Sequence, residues 1–211
     1  VNKSEMTYDY THEEIEDTLS NLVSVYTSQK IDDENDRLNK LNTKIYFIPG
    51  NRDFLIGSDF LNKTNMTLLE DHTLIQLGNQ KTVILHGDTL CTDDKDYQEF
   101  RAKVRSEIWK KDFLNQNIHT RLEICKELRK KSNAAQKNKS EILMDVNENE
   151  VEKLFRNLSF PSIMIHGHTH RPKTHNYLLD NNACERWVLN DWYDSESYLI
   201  WQDNQLNSKT L

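Results

Sequence analysis

Apolar residues in this chain come in short runs of strand length, separated by long polar stretches. Residues 10–42 break that rule. In "THEEIEDTLSNLVSVY", Ile15, Leu19, Leu22 and Val23 fall at helical spacing, with Thr11 as an N-cap and acidic residues in the first turn. "KIYFIPGNRDF" predicts a short strand broken at Pro49-Gly50. "HTLIQLGNQKTVILHGD" predicts a hairpin that turns at Gly78-Asn79, its second strand ending at His86. Residues 95–158 lack Gly and Pro and are dense in Lys, Glu, Arg, Gln and Asn, which predicts a long helical insertion. Within it, "KKSNAAQKNKSE" at 130–141 reads by composition as a polar loop. "PSIMIHGH" predicts a further strand, and "ERWVLNDWY" with "SYLIWQDN" a closing pair. Strand, helices, strand is the order of an α/β domain with helices inserted between strands.

Composition sharpens this picture. At 211 residues the chain is long enough for one domain with an insertion. The net charge of −7 argues against a nucleic-acid partner. Cys91, Cys125 and Cys184 are odd in number and lack CxxC spacing, so they read as free thiols in a reducing compartment. The longest apolar runs, such as "IYFIP", "TVIL" and "SIMI", are far short of the roughly 20 residues that span a bilayer. With no signal-peptide pattern, the expectation is a cytoplasmic protein.

Three segments share one grammar: "YFIPGNRD", "VILHGD" and "IMIHGHTH" are apolar strands that end at a Gly flanked by metal-capable side chains. Three of the five glycines, Gly50, Gly87 and Gly167, sit in these junctions. Ligands of α/β sheets gather at the carboxyl ends of strands, so Asn51, His86, His168 and His170 can converge from distant positions. In "HGHTH" alternate residues lie on one face of a strand end, and imidazole is a common ligand for Zn, Mn and Fe. Taken singly, His86 reads as an exposed histidine, "GNRD" as an ordinary turn and Arg52 as an ion pair with Asp53.

Together, "GNRDF", "HGDTLCTDD" and "HGHTHRP" resemble the calcineurin-like metallophosphoesterases. More narrowly they resemble the branch of that family that acts on UDP-2,3-diacylglucosamine in lipid A biosynthesis. "MTLLED", "YQEFRAKVR", "SEILMDVN" and "LNDWYDSESYL" extend the likeness over roughly residues 44–202. Other phosphoesterases of the family show GNH where this chain has "GNR". The resemblance implies an α/β fold: a two-sheet core flanked by helices, in a single domain over 1–211 with a helical cap inserted at about 95–158. It implies a di-manganese (Mn2+) site that acidifies water for attack on a pyrophosphate, with UMP and 2,3-diacylglucosamine 1-phosphate as products. Asn51, His86 and His168 would serve one metal and His170 the other. Arg52, His86 and His168 would be catalytic, Arg52 gripping phosphoryl oxygens with its planar fork. Asp94, Ser132, Gln136 and Lys139 would contact substrate beside Asn51, Arg52 and His168; the family usually has Asn where Gln136 stands. His166 would pack behind the ligands. Lys103, Arg105, Lys110 and Lys111 read either as a solvated helix face or as a basic patch for the cytoplasmic face of the inner membrane.

The family's first two metal motifs, an Asp-x-His and a Gly-Asp, should precede "YFIPGNRD". Residues 1–44 contain no Asp-x-His and no Gly; Asp9 and His12 have the wrong spacing, and "DDEND" reads as a solvated run. The expectation is a chain that begins after both motifs, without two strands, and has little activity alone. A generic metal-dependent phosphodiesterase and a non-catalytic remnant that binds ligand without turnover are the competing readings.

Overall fold

The computed structural model describes residues 40, 43–137, 139–140, 143–191 and 197–210, with the side chains of Gln136 and Lys137 left out. The expected helix over 10–42, Asp9, His12 and the "DDEND" run therefore lie outside the described residues, Lys40 apart. The described residues divide into two compact units, one drawn from within 1–45, 52–67 and 107–137, the other from within 46–51, 68–106 and 138–211.

The second unit is built on a five-stranded mixed sheet of order β3-β4-β5-β7-β6. Its strands are β3 (Thr73–Leu77), β4 (Gln80–Leu85), β5 (Ile163–His166), β6 (Lys173–Leu179) and β7 (Asn182–Val188). The predicted hairpin forms, with β3 antiparallel to β4. β5 lies parallel between β4 and β7. Apolar runs such as "TVIL" and "IMI" suit central strands covered on both faces, and Val83 and Met164 are fully buried. Helix α2 (Lys95–Val104) begins at the N-cap Asp94, whose side chain accepts from the Tyr97 amide. Helix α5 (Glu148–Asn157) is capped by Asn147. The α5 residues Val151 and Phe155 join Val83, Leu85, Leu90, Met164 and Leu179 in the core.

The expected pairing of "ERWVLNDWY" with "SYLIWQDN" is corrected. β7 pairs with β6, and β8 (Ser197–Gln202) pairs with β9 (Gln205–Thr210). Each is a tight hairpin whose two turn residues, Asp180-Asn181 and Asp203-Asn204, sit at positive φ. Asp and Asn tolerate that conformation better than most residues, so these dipeptides close hairpins without glycine. The β8–β9 hairpin seats on the β3–β4 turn, where a Cβ at Gly78 would come 3.0 Å from both Trp201 and Asn204.

In the first unit lie α1 (Ser58–Thr64), α3 (Glu107–Leu114) and α4 (Ile118–Lys137). Trp109 stacks on Phe113 with ring centroids 4.9 Å apart, and Phe54 lies against Trp109. The 130–141 stretch is not a loop up to Lys137, because α4 runs through it. Its Lys, Ala and Gln are good helix formers and no Gly or Pro interrupts them. β1 (Ile45–Phe47) and β2 (Met66–Leu68) form a two-stranded sheet of their own.

Candidate metal centre

The parallel pairing of β4 with β5 sets Leu85 opposite His166. One residue further on, the chains of the "HGD" and "HGH" junctions lie side by side, and the Gly167 amide donates to the His86 carbonyl at 3.0 Å. The His86 amide donates to Asp71 Oδ1 at 3.0 Å. These bonds bring the His168 and His86 rings together, with His168 Nδ1 3.2 Å from His86 Nε2 and centroids 4.9 Å apart.

The alternation expected for the three histidines does not hold. β5 ends at His166, and His168 and His170 both adopt left-handed backbone, at φ 66° and 53°. The turn, not the strand pleat, aims them. Such a conformation in non-glycine residues is strained. His170 Nδ1 lies 3.3 Å from Asp191 Oδ2. His166 points inward instead and is fully buried. Burial first, and then the charge of His86, lowers the His168 pKa to about 4, so this imidazole is neutral near pH 7 and keeps a lone pair for a cation.

Asp88 follows directly on Gly87 and is wholly buried. Its Oδ2 accepts from Arg101 Nε at 2.8 Å and from the Tyr97 hydroxyl at 2.9 Å, with Arg105 Nη2 at 3.5 Å. Tyr97, Arg101 and Arg105 recur every fourth residue, so they stack on one face of α2. Burial would raise the Asp88 pKa, but the Arg101 bond and the charges of His86 and Arg101 outweigh it and hold the carboxyl below its ordinary value. The Tyr97 ring also packs against His168 at 5.5 Å, and burial beside Asp88 pushes its phenol up.

Arg105 also donates to the Gly50 carbonyl at 3.0 Å, which ties the "GNRD" junction to the "HGD" junction. Of the basic residues Lys103, Arg105, Lys110 and Lys111, Arg105 turns toward a buried carboxylate, and Lys110 makes an exposed pair with Glu107 at 3.0 Å. Asn51, one residue past Gly50, is half-buried; Arg52 is exposed and belongs to the other unit. Asp94 and Lys139 form an ion pair. Ser132 lies half-buried on α4 of the other unit, and the Gln136 side chain lies outside the described residues. The Cys91 thiol is buried and pushed up to about 12 by burial and then by Asp88, which makes it unreactive.

Two imidazoles with nitrogens facing each other, one of them held neutral by burial, are a donor set that fits a divalent transition metal. Among the described residues no group of three or more His, Cys, Asp and Glu gathers in one place. His86 and His168 would therefore hold only part of such an ion's coordination shell. Sequence reasoning missed Asp88 and Arg101 and read Arg105 only as part of a basic helix face, although Asp88 stood inside a quoted motif. The available signal was a carboxylate directly after a strand-end glycine, followed by arginines four residues apart.

Several known proteins are similar to this chain. A UDP-2,3-diacylglucosamine hydrolase from Aromatoleum aromaticum is 45% identical over 159 residues, 75% of this chain and 64% of that protein. The hydrolase of the same name from Chromohalobacter salexigens is 45% identical over 156 residues, 74% of this chain and 63% of that one. That from Aliivibrio fischeri is 42% identical over 166 residues, 79% of this chain and 68% of its own length. The chain thus spans a little under two thirds of the first two relatives. A solved archaeal phosphodiesterase is similar at a TM-score of 0.42 and 12% identity, over 90% of this chain and 78% of that one. The family model for calcineurin-like phosphoesterases matches residues 9–172, and on that match, with the strand-end histidines it spans, the chain belongs to the calcineurin-like phosphoesterase family.

Proposed function

We propose that this chain is part of a metal-dependent hydrolase that cleaves the pyrophosphate bond of UDP-2,3-diacylglucosamine. Water adds to one phosphorus, the P–O–P bridge breaks, and UMP and 2,3-diacylglucosamine 1-phosphate leave. The observation that carries this reading is the apposition of His86 and His168 at neighbouring parallel strand ends, 3.2 Å apart. The names of the relatives support the substrate.

Bound divalent ions, Mn2+ in this reading, supply charge neutralisation and a water acidic enough to react near neutral pH. Asn51, His86 and His168 are assigned to one ion and His170 to the other. Arg52 is assigned to the phosphoryl oxygens, which a planar guanidinium meets in bidentate fashion. Lys139, held by Asp94, would meet the diphosphate, with Ser132 and Gln136 as further substrate contacts. Contact with the cytoplasmic face of the inner membrane is part of the proposal. Helix α3 supports it by presenting Ile108, 77% exposed, and Leu114 beside Lys110 and Lys111. No described helix is long and apolar enough to cross a membrane.

The test is UMP release from UDP-2,3-diacylglucosamine with Mn2+ or chelator, beside UDP-N-acetylglucosamine. Residues 1–44 offer neither an Asp-x-His nor a Gly-Asp. The 211-residue polypeptide by itself is therefore expected to bind the lipid nucleotide and turn it over feebly. Brisk Mn2+-dependent UMP release by this polypeptide alone overturns the part-site reading. Equal action on the simple nucleotide sugar overturns the substrate assignment.

A further inference from the structure

Arg186 is 2% exposed in the middle of β7, paired to Met164 of β5. A guanidinium in such a place costs heavily in desolvation, and an apolar side chain of similar size would pack there without that cost. Each of its three guanidinium nitrogens has a partner. Nη2 donates to Glu148 Oε1 at 2.8 Å, Nε to the Tyr177 hydroxyl at 2.8 Å, and Nη1 to His166 Nε2 at 3.2 Å. Tyr177 in turn donates to Glu148 Oε2 at 2.7 Å.

The bond to His166 has a consequence for the turn beyond it. Arginine only donates, so Nε2 of His166 must accept, and the ring proton sits on Nδ1. That proton faces the Gly167 carbonyl at 2.9 Å. The same carbonyl accepts from the Thr169 amide at 2.8 Å, while the Gly167 amide donates to His86. Gly167 is held from both sides, and the next residue is His168 in its left-handed conformation. Gly87 leaves room for this contact, since a Cβ there would come within 2.8 Å of His166 Nδ1.

We propose that Arg186 is a positioning residue for the His168 imidazole, acting through the His166 tautomer and the Gly167 carbonyl. The importance of that position for a cation rests on the function proposed above; the relay itself does not. Outer partners that orient metal-ligating histidines typically change affinity by about 10–100-fold.

The experiment reads the ring nitrogens of His166 and His168 by NMR in the 211-residue chain, with Mn2+ affinity measured in parallel. In Arg186→Met the His166 ring, left without a donor at Nε2, should lose its fixed orientation against the Gly167 carbonyl, the contact between the His168 and His86 rings should weaken, and Mn2+ affinity should fall roughly tenfold or more. His166→Asn retains a donor at the Nδ1 position and should preserve the His168 environment; His166→Gln should not. If Arg186→Met fails to fold, the two His166 variants decide the matter between them. A His168 environment unchanged in Arg186→Met, or equally disturbed by Asn and Gln at 166, overturns the relay. If the ring shifts respond as expected but the unaltered chain binds no Mn2+, the relay stands and the metal assignment falls.

Discussion

His166 and His168 stand two residues apart, and burial lowers both to a pKa of about 4, yet they sit in opposite chemical situations. The first ends a strand and points into the sheet, where Arg186 occupies one nitrogen and the Gly167 carbonyl the other. The second follows a glycine in left-handed backbone and points at His86. Burial alone makes an imidazole neutral, and the partners it meets decide what the neutral ring does. Where both nitrogens are satisfied by the protein, histidine is a structural bracket. Where one nitrogen faces another imidazole, the pair fits a cation in the function proposed above.

The largest expected effect separates the two directly. His168→Ala should lower Mn2+ affinity by more than the roughly hundredfold that loss of an outer partner costs, with denaturant stability nearly unchanged; isothermal titration and urea melts check this. Gly87→Ala should damage both regions at once, because the residue has φ 111° and the new methyl would press on His166. A stability loss of about 1–3 kcal/mol is expected in urea unfolding, together with loss of the His86–His168 contact.

Acid should unlock both histidines together. A histidine whose folded pKa lies below its ordinary 6.5 penalises the folded state wherever the unfolded chain takes up the proton. Stability is then complete above about pH 6.5 and declines as pH falls toward 4, approaching about 1.4 kcal/mol per pH unit for each group. Urea melts in the presence of chelator, at steps between pH 7 and pH 4, measure the slope. Asp88, whose folded pKa is depressed, adds a further loss only at lower pH, as its carboxylate protonates. The smallest effect is the control: Lys153→Ala removes an exposed pair with Glu150 on α5 and should change stability by no more than about 0.5 kcal/mol in the same melts.

Much of this site was legible in one dimension. Apolar runs of strand length closing on Gly50, Gly87 and Gly167 identified the junctions, because only a few residue types turn a buried strand sharply toward a ligand. The β3–β4 hairpin followed from the apolar runs on either side of Gly78-Asn79, and α2 from a polar run free of Gly and Pro; its Asp94 N-cap went unread. The hairpins at Asp180-Asn181 and Asp203-Asn204 escaped notice because their turns use no glycine, so two strands found partners the pattern did not name.

Local pattern thus marked the strand-end junctions and the candidate side chains beside them, but not Asp88 or Arg101 and not the turn that carries His168 and His170. Which nitrogen each histidine presents was decided elsewhere. It depends on the parallel register that sets Leu85 opposite His166, on an arginine twenty residues downstream, and on the face of α2 that turns Tyr97, Arg101 and Arg105 onto Asp88. Hydrogen-bond direction and desolvation are properties of groups brought together in space. A sequence can supply the groups, but only the packed sheet brings His166 to Arg186 and His168 to His86.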